Sequence, residues 1–343
     1  MLQFFVFSLG YTLKFVAFFY HIKNMIKVGI IGGAGYTGGE LLRILINHPE
    51  VEITFVNSKS QAGKPVYATH TDLLGDTELV FTDELHTNID VAFLCSGHGE
   101  SKIFLEANPA FKEISIIDLS TDYRDQSEGF VYGLAELQRD EIKGAKHIAN
   151  PGCFATSIEL ALLPLASAGL IQDAIHISAV TGSTGAGQSL SATSHFSWRN
   201  NNISIYKAFT HQHLTEIGMT LNELQADFDQ PINFIPYRGN FTRGIMANVY
   251  TKFGGTLAEA KELYKNYYAN HPFTTVSDTA IDVKQVVNTN KCLIHLELHN
   301  GNLLISSIID NLTKGASGQA VQNMNLIFGL PERTGLGLKS VGF

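Results

Sequence analysis

The sequence predicts an α/β protein built around a parallel sheet. Short, almost continuous apolar strands alternate with helical stretches in its first half, which is typical of a parallel sheet covered by helices on both faces. The first of these strands runs into a glycine-rich turn and then into a helix. With 343 residues, the chain is long enough for two domains that each bury a core.

Composition excludes several classes of function. The formal net charge of −8 provides no basic field for nucleic acid or an anionic membrane. The three cysteines, Cys95, Cys153 and Cys292, are odd in number and widely spaced, which argues against a disulfide framework and favours a reducing, cytoplasmic location. The sequence contains no CxxC or HExxH spacing, so we expect no metal site.

Residues 1–24 differ in character from the rest of the chain. They are rich in aromatic and aliphatic residues, contain no acidic residue, and have lysines at Lys14 and Lys23. A basic n-region and a cleavage site are not evident, and Lys14 interrupts the apolar run. We interpret this segment as a non-native or disordered leader, with Met25 as the working start; a membrane or targeting segment is the alternative.

The glycine-rich turn has the spacing of a dinucleotide-binding site. A strand at residues 26–31 is followed by Gly33-x-Gly35-x-x-Gly38 and a helix at residues 40–47. In this setting the glycines let the backbone approach a pyrophosphate at the helix start. A turn that binds no ligand is the alternative. The residues assigned to the cofactor are Gly33, Gly35, Tyr36, Thr37 and Gly38.

The end of the second strand indicates which nicotinamide cofactor binds. The strand at residues 51–56 leads into Asn57-Ser58-Lys59 and lacks the acidic residue that usually binds the ribose of NAD. The hydroxyl of Ser58 and the charge of Lys59 suit a 2′-phosphate, so we expect NADP. A lysine that is simply solvated is the alternative.

Two further apolar strands end in polar turns. They span residues 90–95 and 114–119, and ligands of parallel sheets bind beyond such strand ends. We expect Cys95 to lie in the core. His98 either lines the cofactor pocket or caps its turn.

A cysteine follows a Pro-Gly turn at the start of a predicted helix. Cys153 stands between Pro151-Gly152 and the helical residues 157–163. Unpaired N–H groups and the helix dipole favour an anion there, so we expect a lowered thiol pKa and a nucleophilic thiolate. A small buried cysteine is the alternative.

The second half of the chain offers basic groups for catalysis and binding. A strand at residues 170–181 precedes a polar loop at 182–188 and a linker at 188–202. In an extended segment, His211 and His213 would share a face and could transfer protons. Arg238 and Arg243 flank the entrance to a strand at residues 245–253 and could each bind a carboxylate or phosphate.

The remaining segments alternate again between helix and strand. A helix is predicted at residues 257–270 and a strand at 292–298, in which Cys292 is structural. Residues 311–326 are predicted to form a turn that leads into a helix.

Several segments together resemble the N-acetyl-γ-glutamyl-phosphate reductases, arginine-pathway relatives of aspartate-semialdehyde dehydrogenase. The resemblance extends from Met25 to the end of the chain. It is carried by GGAGYTGGELLRIL, VYGLAEL, ANPGCFAT, TGSTGAGQ, FTHQHLTEI, TRGI and NLTKGASGQAVQNMNLIFG.

The resemblance implies a fold and a reaction. The fold is a Rossmann-type NADP-binding domain, at residues 25–151 and 315–343, plus an α+β substrate and dimerisation domain at 152–314, of the type found in semialdehyde and glyceraldehyde-3-phosphate dehydrogenases. The reaction is NADPH-dependent reduction of an acyl phosphate through a cysteine thioester. The partners implied are a small-molecule acyl phosphate, inorganic phosphate and further copies of the chain in a homodimer or homotetramer.

The resemblance also implies roles for individual residues. Cys153 is the nucleophile, and His213, preferred to His211, is the acid–base group. Segment 318–323 returns beside the nicotinamide. Further cofactor contacts are implied for Gly185 and Asn323, and substrate contacts for Arg243, Glu216 and Asn150.

Three departures from the family pattern surround the reacting groups. Phe154-Ala155 replaces the usual Tyr-Pro, Gln212 replaces a basic residue, and Leu214-Thr215 stands where Thr-Pro is common. They leave the N-acyl group of the substrate open. An N-succinyl group would need more room and a cation, for which segment 191–202 with Arg199 is the candidate.

Two other functions remain open from the sequence. One is the same chemistry on aspartyl phosphate or an aminoadipate homologue. The other is a non-catalytic NADP-binding sensor, which would need the glycine turn but neither the cysteine nor the paired histidines.

Overall fold

The computed structural model describes residues 25–342, so the expectation of a leader at residues 1–24 lies outside the described residues. The described chain contains two seven-stranded sheets. The strands of the first sheet are β1 (Ile26–Ile31), β2 (Val51–Asn57), β3 (Phe81–Thr82), β4 (Val91–Leu94), β5 (Ser115–Asp118), β6 (Val131–Tyr132) and β7 (His147–Ala149). Those of the second are β8 (Ile175–Thr181), β9 (Ser204–Ile205), β10 (Ile232–Arg238), β11 (Ile245–Lys252), β12 (Thr274–Ser277), β13 (Cys292–His299) and β14 (Asn302–Ile309).

The two sheets differ in strand direction. In the first, the order is β3-β2-β1-β4-β5-β7-β6 and every pair is parallel, which confirms the predicted parallel sheet. In the second, the order is β12-β13-β14-β11-β8-β10-β9, with antiparallel pairs except at β8–β10 and β12–β13. The predicted α/β class with an additional α+β part is therefore correct.

Eight α-helices cover these sheets in the described residues. They are α1 (Tyr36–Leu45), α2 (Glu100–Ala107), α3 (Ala135–Gly144), α4 (Cys153–Ser167), α5 (Phe196–Arg199), α6 (His213–Leu224), α7 (Leu257–Tyr268) and α8 (Gly318–Ile327).

Each sheet has a main hydrophobic core, called the first and the second core, and the first sheet also packs against a smaller cluster made only of residues 31–149. Apolar residues of β1 and α1 form the first core together with Val321 and Met324 of α8. Helix α4 is buried on every side from Phe154 to Ala166 and packs against β11 and β14 in the second core. Cys95 and Cys292 are both buried, as predicted.

Some predicted element boundaries were wrong. Helix α1 begins at Tyr36, four residues before the predicted start, because the glycine turn closes directly into the helix. The strand predicted at residues 170–181 begins only at Ile175, since the chain first turns at Gly169 with a positive φ of 67°. These shifts leave the order of the elements unchanged.

A buried ion cluster joins the two sheets through Arg243. Its guanidinium donates to Glu40 of α1 at 2.9 Å and to both oxygens of Asp310, just after β14, at 3.0 and 3.1 Å. It also donates to Thr313 at 3.1 Å. Burial acts to raise the pKa of Glu40, but hydrogen bonds and charges from Arg43 and Arg243 outweigh it and lower that pKa to about 2.

We expect Glu40→Gln to lower the free energy of unfolding by about 3 kcal/mol at pH 7, since one pKa unit corresponds to about 1.4 kcal/mol. The pKa is depressed in the folded state, so this contribution is complete above pH 4.5 and is lost as the pH falls towards 2. Denaturant unfolding at pH 7 and pH 3 measures it, with the exposed Glu52→Gln as the matched control. A pH-independent difference between E40Q and wild type would contradict the assignment.

Candidate active site

A pocket of about 540 Å³ lies at the carboxyl ends of the parallel strands. Its walls come from the turn after β1, the segment between β7 and α4, and the loop after β8. Such a position is where parallel α/β sheets bind their ligands, because the strand-to-helix turns converge there.

Cys153 opens helix α4 inside this pocket. It is the first residue of the helix, Gly152 is the N-cap, and the side chain is half-buried. The predicted position at a helix start is therefore confirmed. The chain after β14 passes so closely that a Cβ on Gly315 would lie 2.8 Å from the Cβ of Cys153. Only glycine permits this approach.

The predicted lowering of the thiol pKa was wrong. Burial raises the pKa of Cys153 to about 11, although the charge of Arg124 and the N–H groups of Cys153 and Phe154 act to lower it. The helix start does favour the anion, but the loss of water costs more. The free protein therefore holds a neutral thiol at neutral pH, and its reaction requires a base.

A buried carboxylate organises the residues around Cys153. Glu216 accepts from the guanidinium of Arg124 at 3.0 Å, from the backbone N–H of Gly152 at 2.9 Å and from the hydroxyl of Tyr132 at 3.1 Å. Arg124 also donates to the backbone oxygens of Asn150 at 2.9 Å and of Leu119 at 3.1 Å. These contacts fix the turn that carries the cysteine.

Both predicted histidines reach the pocket, but not by the predicted geometry. The segment is not extended: His211 lies in a turn and His213 begins α6. Their rings lie 4.7 Å apart because the Nδ1 of His211 accepts from the backbone N–H of His213 at 3.3 Å. The prediction that the two histidines lie close together is therefore correct, but the strand on which it was based is absent.

His213 is a neutral imidazole with a free ring nitrogen. Burial, followed by the charge of Arg124, lowers its pKa well below the usual value. Its Nδ1 is buried and has no hydrogen-bond partner among the described residues. The Nε2 lies 3.9 Å from Glu216, and a Cβ on Gly152 would come within 2.5 Å of it. Burial, followed by the charge of Lys207, lowers the pKa of His211 to about 4.

The glycines of the first turn have separate structural reasons. A Cβ on Gly33 would lie 2.3 Å from Val56, and one on Gly38 would lie 2.5 Å from the oxygen of Gly33. At Gly35 the closest atom is 3.8 Å away, and this residue lines the pocket together with Tyr36 and Thr37. The turn therefore fits a dinucleotide, with Gly35 as the position where its backbone is open to the ligand.

The end of β2 fits the phosphate of NADP. Asn57 and Ser58 are buried, whereas Lys59 is exposed beyond the strand. Residues 57–61 contain no carboxylate, although Asp83 and Glu84 directly follow the neighbouring strand β3.

The other predicted contacts divide into two groups. Gly185 and Asn150 line the pocket. Arg243, Glu216 and Asn323 do not line this pocket, although Glu216 lines a neighbouring one, and their ligand contacts stay predictions. All three are held by protein groups: Arg243 by the ion cluster, Glu216 by the network around Gly152, and Asn323 by hydrogen bonds to Gly133 and Asn150.

The predicted return segment was displaced by a few residues. Gly315 and Ala316 line the pocket, whereas residues 318–323 are buried within α8. In the π-helical turn Thr313–Ser317, which ends before α8, Gly315 and Ala316 face the ligand space, whereas the other three residues are buried.

Sequence reasoning missed four residues of the site. Arg124 lies two positions beyond the polar turn noted after β5, and Tyr206 and Lys207 lie just before the histidine segment. Tyr132 lies in a segment noted only for its resemblance. Their chemical roles depend on partners from distant parts of the chain, which no local pattern reveals.

Two further observations concern metal binding and membrane-spanning helices. In residues 25–342, no group of three or more His, Cys, Asp or Glu side chains is arranged to hold a metal ion. No helix in this part of the chain is long and apolar enough to cross a membrane.

Family models match both halves of the chain. Residues 27–145 match the semialdehyde dehydrogenase NAD binding domain. Residues 153–311 match the semialdehyde dehydrogenase dimerisation domain.

Curated relatives are similar over nearly their full length. The N-acetyl-gamma-glutamyl-phosphate reductase of Christiangramia forsetii is 59% identical over 318 residues, covering 92% of this chain and 99% of that protein. The protein of the same name from Flavobacterium johnsoniae is 58% identical over 325 residues, covering 93% and 100%.

Solved structures share the fold. Aspartate semialdehyde dehydrogenase II from Vibrio cholerae superposes with a TM-score of 0.71 at 17% identity, covering 89% of this chain and 99% of that one. Aspartate semialdehyde dehydrogenase with NADP from Candida albicans gives 0.62 at 14% identity, covering 89% and 98%.

Alkylation of Cys153 should report its raised pKa. We expect the rate of iodoacetamide modification to increase about tenfold per pH unit from pH 7 to 10, because only the thiolate reacts and the pKa is about 11. Peptide mass spectrometry measures the rate, and the buried Cys95 and Cys292 are internal controls. A plateau below pH 8 would instead support the thiolate predicted from the sequence.

Gly35→Ala should weaken cofactor binding without unfolding the protein. Its φ of −77° suits alanine, and the added Cβ would occupy ligand space instead of protein. We expect the Kd for NADPH to rise about tenfold or more, with Tm unchanged. Gly38→Ala is the contrasting variant, since its Cβ meets backbone and should lower Tm. Unchanged affinity of G35A would contradict the proposed docking.

Proposed function

We propose that this chain, which belongs to the semialdehyde dehydrogenase family and within it to the N-acetyl-gamma-glutamyl-phosphate reductases, reduces N-acetyl-L-glutamyl 5-phosphate to N-acetyl-L-glutamate 5-semialdehyde and phosphate. The chain is an NADP-dependent oxidoreductase of arginine biosynthesis. One observation carries the chemistry: a cysteine opens a buried helix between the cofactor turn and a neutral, unpartnered histidine.

In the proposed reaction, the imidazole of His213 removes the Cys153 proton while the sulfur bonds to the acyl carbon. The raised pKa of the thiol and the lowered pKa of the histidine leave both groups neutral at neutral pH and disfavour a separate ion pair, so the proton moves during the attack as in general-base catalysis. Phosphate leaves with the electron pair of the broken C–O bond, giving a thioester. The N–H groups of Cys153 and Phe154 are available to the oxyanion, because the N–H of Gly152 is already held by Glu216.

The cofactor has one chemical part in this scheme: bound along the glycine turn, NADPH supplies the hydride that reduces the thioester carbon. The C–S bond then breaks as the aldehyde forms, and His213 returns the proton to the sulfur of Cys153. We propose that the cofactor is bound by Gly35, Tyr36, Thr37, Ser58, Lys59 and Gly185.

The remaining assignments are also proposals. We propose the domain division at residues 25–151 with 315–343 and at 152–314, which the two sheets and the packing of α8 support. The match to a dimerisation domain indicates an oligomer, and we propose a homodimer or homotetramer. We propose a cytoplasmic location, supported by three free cysteines.

The test is the reverse reaction on protein that starts at Met25. We expect NADP-dependent oxidation of N-acetylglutamate semialdehyde that stops when phosphate is omitted. Cys153→Ser should retain less than a few per cent of the rate, and His213→Asn should lose about 100-fold or more in kcat.

His211→Asn is the matched control, since it removes a neighbouring imidazole and should cost less than His213→Asn. If His211→Asn and His213→Asn lost kcat equally, the result would contradict the assignment of His213 as the general base. NADP binding without any turnover would overturn the enzyme function and favour a non-catalytic sensor.

A further inference from the structure

Two arginines line the pocket without taking part in the catalytic network. Arg199 ends the short helix α5 and Arg238 ends strand β10, and both line the pocket that contains Cys153. Arg238 donates to the hydroxyl of Thr193 at 2.9 Å and lies 4.3 Å above the ring of Tyr206. Neither contact neutralises its charge.

These guanidinium groups have no acidic partner. In residues 25–342, no carboxylate lies within ion-pair distance of Arg199 or Arg238. The Nε and Nη2 atoms of Arg199 are buried and have no hydrogen-bond partner there. Burial, followed by the charge of Arg238, lowers the pKa of Arg199. Both arginines are half-buried, but the enclosed nitrogens of Arg199 have no partner and lie near a like charge, so the arrangement favours an anion that both groups can share.

Two other arginines, Arg124 and Arg243, show how this protein balances the charge of an enclosed guanidinium group. Arg124 is paired with Glu216, and Arg243 is paired with Glu40 and Asp310. Structural arginines in this chain are therefore supplied with carboxylates from the protein. The pair formed by Arg199 and Arg238 lacks one and opens into the ligand space.

We propose that Arg199 and Arg238 form the subsite for the α-carboxylate of the N-acylglutamate substrate. This inference rests on the proposed function, because it presumes that the reacting carbon lies at Cys153. A planar carboxylate matches the paired N–H donors of a guanidinium, and two arginines from different elements of the fold can hold it in one orientation.

The position of Tyr206 favours the carboxylate over the phosphate. The leaving phosphate is bonded to the carbon that Cys153 attacks, so it lies against the sulfur. The α-carboxylate carbon is four bonds further along the substrate. The ring of Tyr206 packs 5.6 Å from that of His211 on one side, and Arg238 lies 4.3 Å above it on another. One aromatic ring therefore separates Arg238 from the histidine pair, which suits contact with the part of the substrate away from the reacting carbon.

Trp198 provides a direct measure of binding. It is the only tryptophan in the chain and immediately precedes Arg199 in α5. We would titrate its fluorescence with N-acetyl-L-glutamine, which carries the α-carboxylate, and with 4-acetamidobutanamide, which is the same molecule without it. We expect wild type to bind the first at least 30-fold more tightly than the second.

Arg199→Ala should abolish that preference. We expect the Kd for N-acetyl-L-glutamine to rise about 30-fold, while binding of 4-acetamidobutanamide is unchanged. Arg199→Lys keeps a positive charge without the planar fork and should recover part of the preference. The exposed Arg333→Ala is the matched control for loss of one charge. Equal affinity of wild type and R199A for N-acetyl-L-glutamine would overturn the subsite.

Kinetics separate a carboxylate site from a phosphate site. With N-acetylglutamate semialdehyde, we expect R199A to raise the KM for the aldehyde about 30-fold and to leave the KM for phosphate unchanged. With 4-acetamidobutanal, which lacks the carboxylate, R199A and wild type should have the same kcat/KM. A raised KM for phosphate with both aldehydes would overturn the carboxylate assignment in favour of phosphate.

Two further readouts keep the tests independent. R199A should not lower Tm, because the arginine makes no ion pair that folding would lose; a clear decrease would favour a structural role and overturn the proposal. The fluorescence titration needs no turnover. An inactive wild type that still binds through its carboxylate would therefore contradict the proposed function and leave the subsite supported.

Discussion

The catalytic pocket depends on the buried carboxylate of Glu216. This group binds three parts of the chain at once: Arg124 after β5, Gly152 before α4, and Tyr132 in β6. Because His213 lies one helical turn before Glu216 on α6, the same interaction sets the position of the imidazole relative to the cysteine. A single acid thereby aligns the nucleophile and its base, although neither of them contacts it by a short hydrogen bond.

A second buried acid, Glu159, lies beside Glu216. Glu159 of α4 accepts from the hydroxyls of Thr220 and Tyr132, and the hydroxyl of Tyr132 also contacts Glu216. Burial, followed by the charge of Glu216, raises the pKa of Glu159 to about 8. Glu159 is therefore mostly protonated at neutral pH, which limits the negative charge buried in this cluster.

The predictions from sequence were most accurate for features that depend on residues close together in the chain. The glycine turn, the cysteine at a helix start and the parallel sheet all follow from short-range patterns, and the structure has them. The ionisation of Cys153 could not be predicted in this way, because desolvation depends on what the whole fold packs around the sulfur. Arg243 illustrates the same limit: a strand-entry arginine suits an anion of any origin, and here residues from both sheets supply it.

The placement of α8 constrains the order in which the chain can fold during synthesis. Val321 and Met324 complete the first hydrophobic core, but they follow every strand of the second sheet. A ribosome therefore releases the whole second sheet before the first core can close. Until α8 is synthesised, part of the apolar surface of the first sheet stays exposed to solvent and to chaperones. Contacts between residues so far apart in the sequence also form slowly. The cluster at residues 31–149 can form early, whereas the core that α8 completes forms only late in translation.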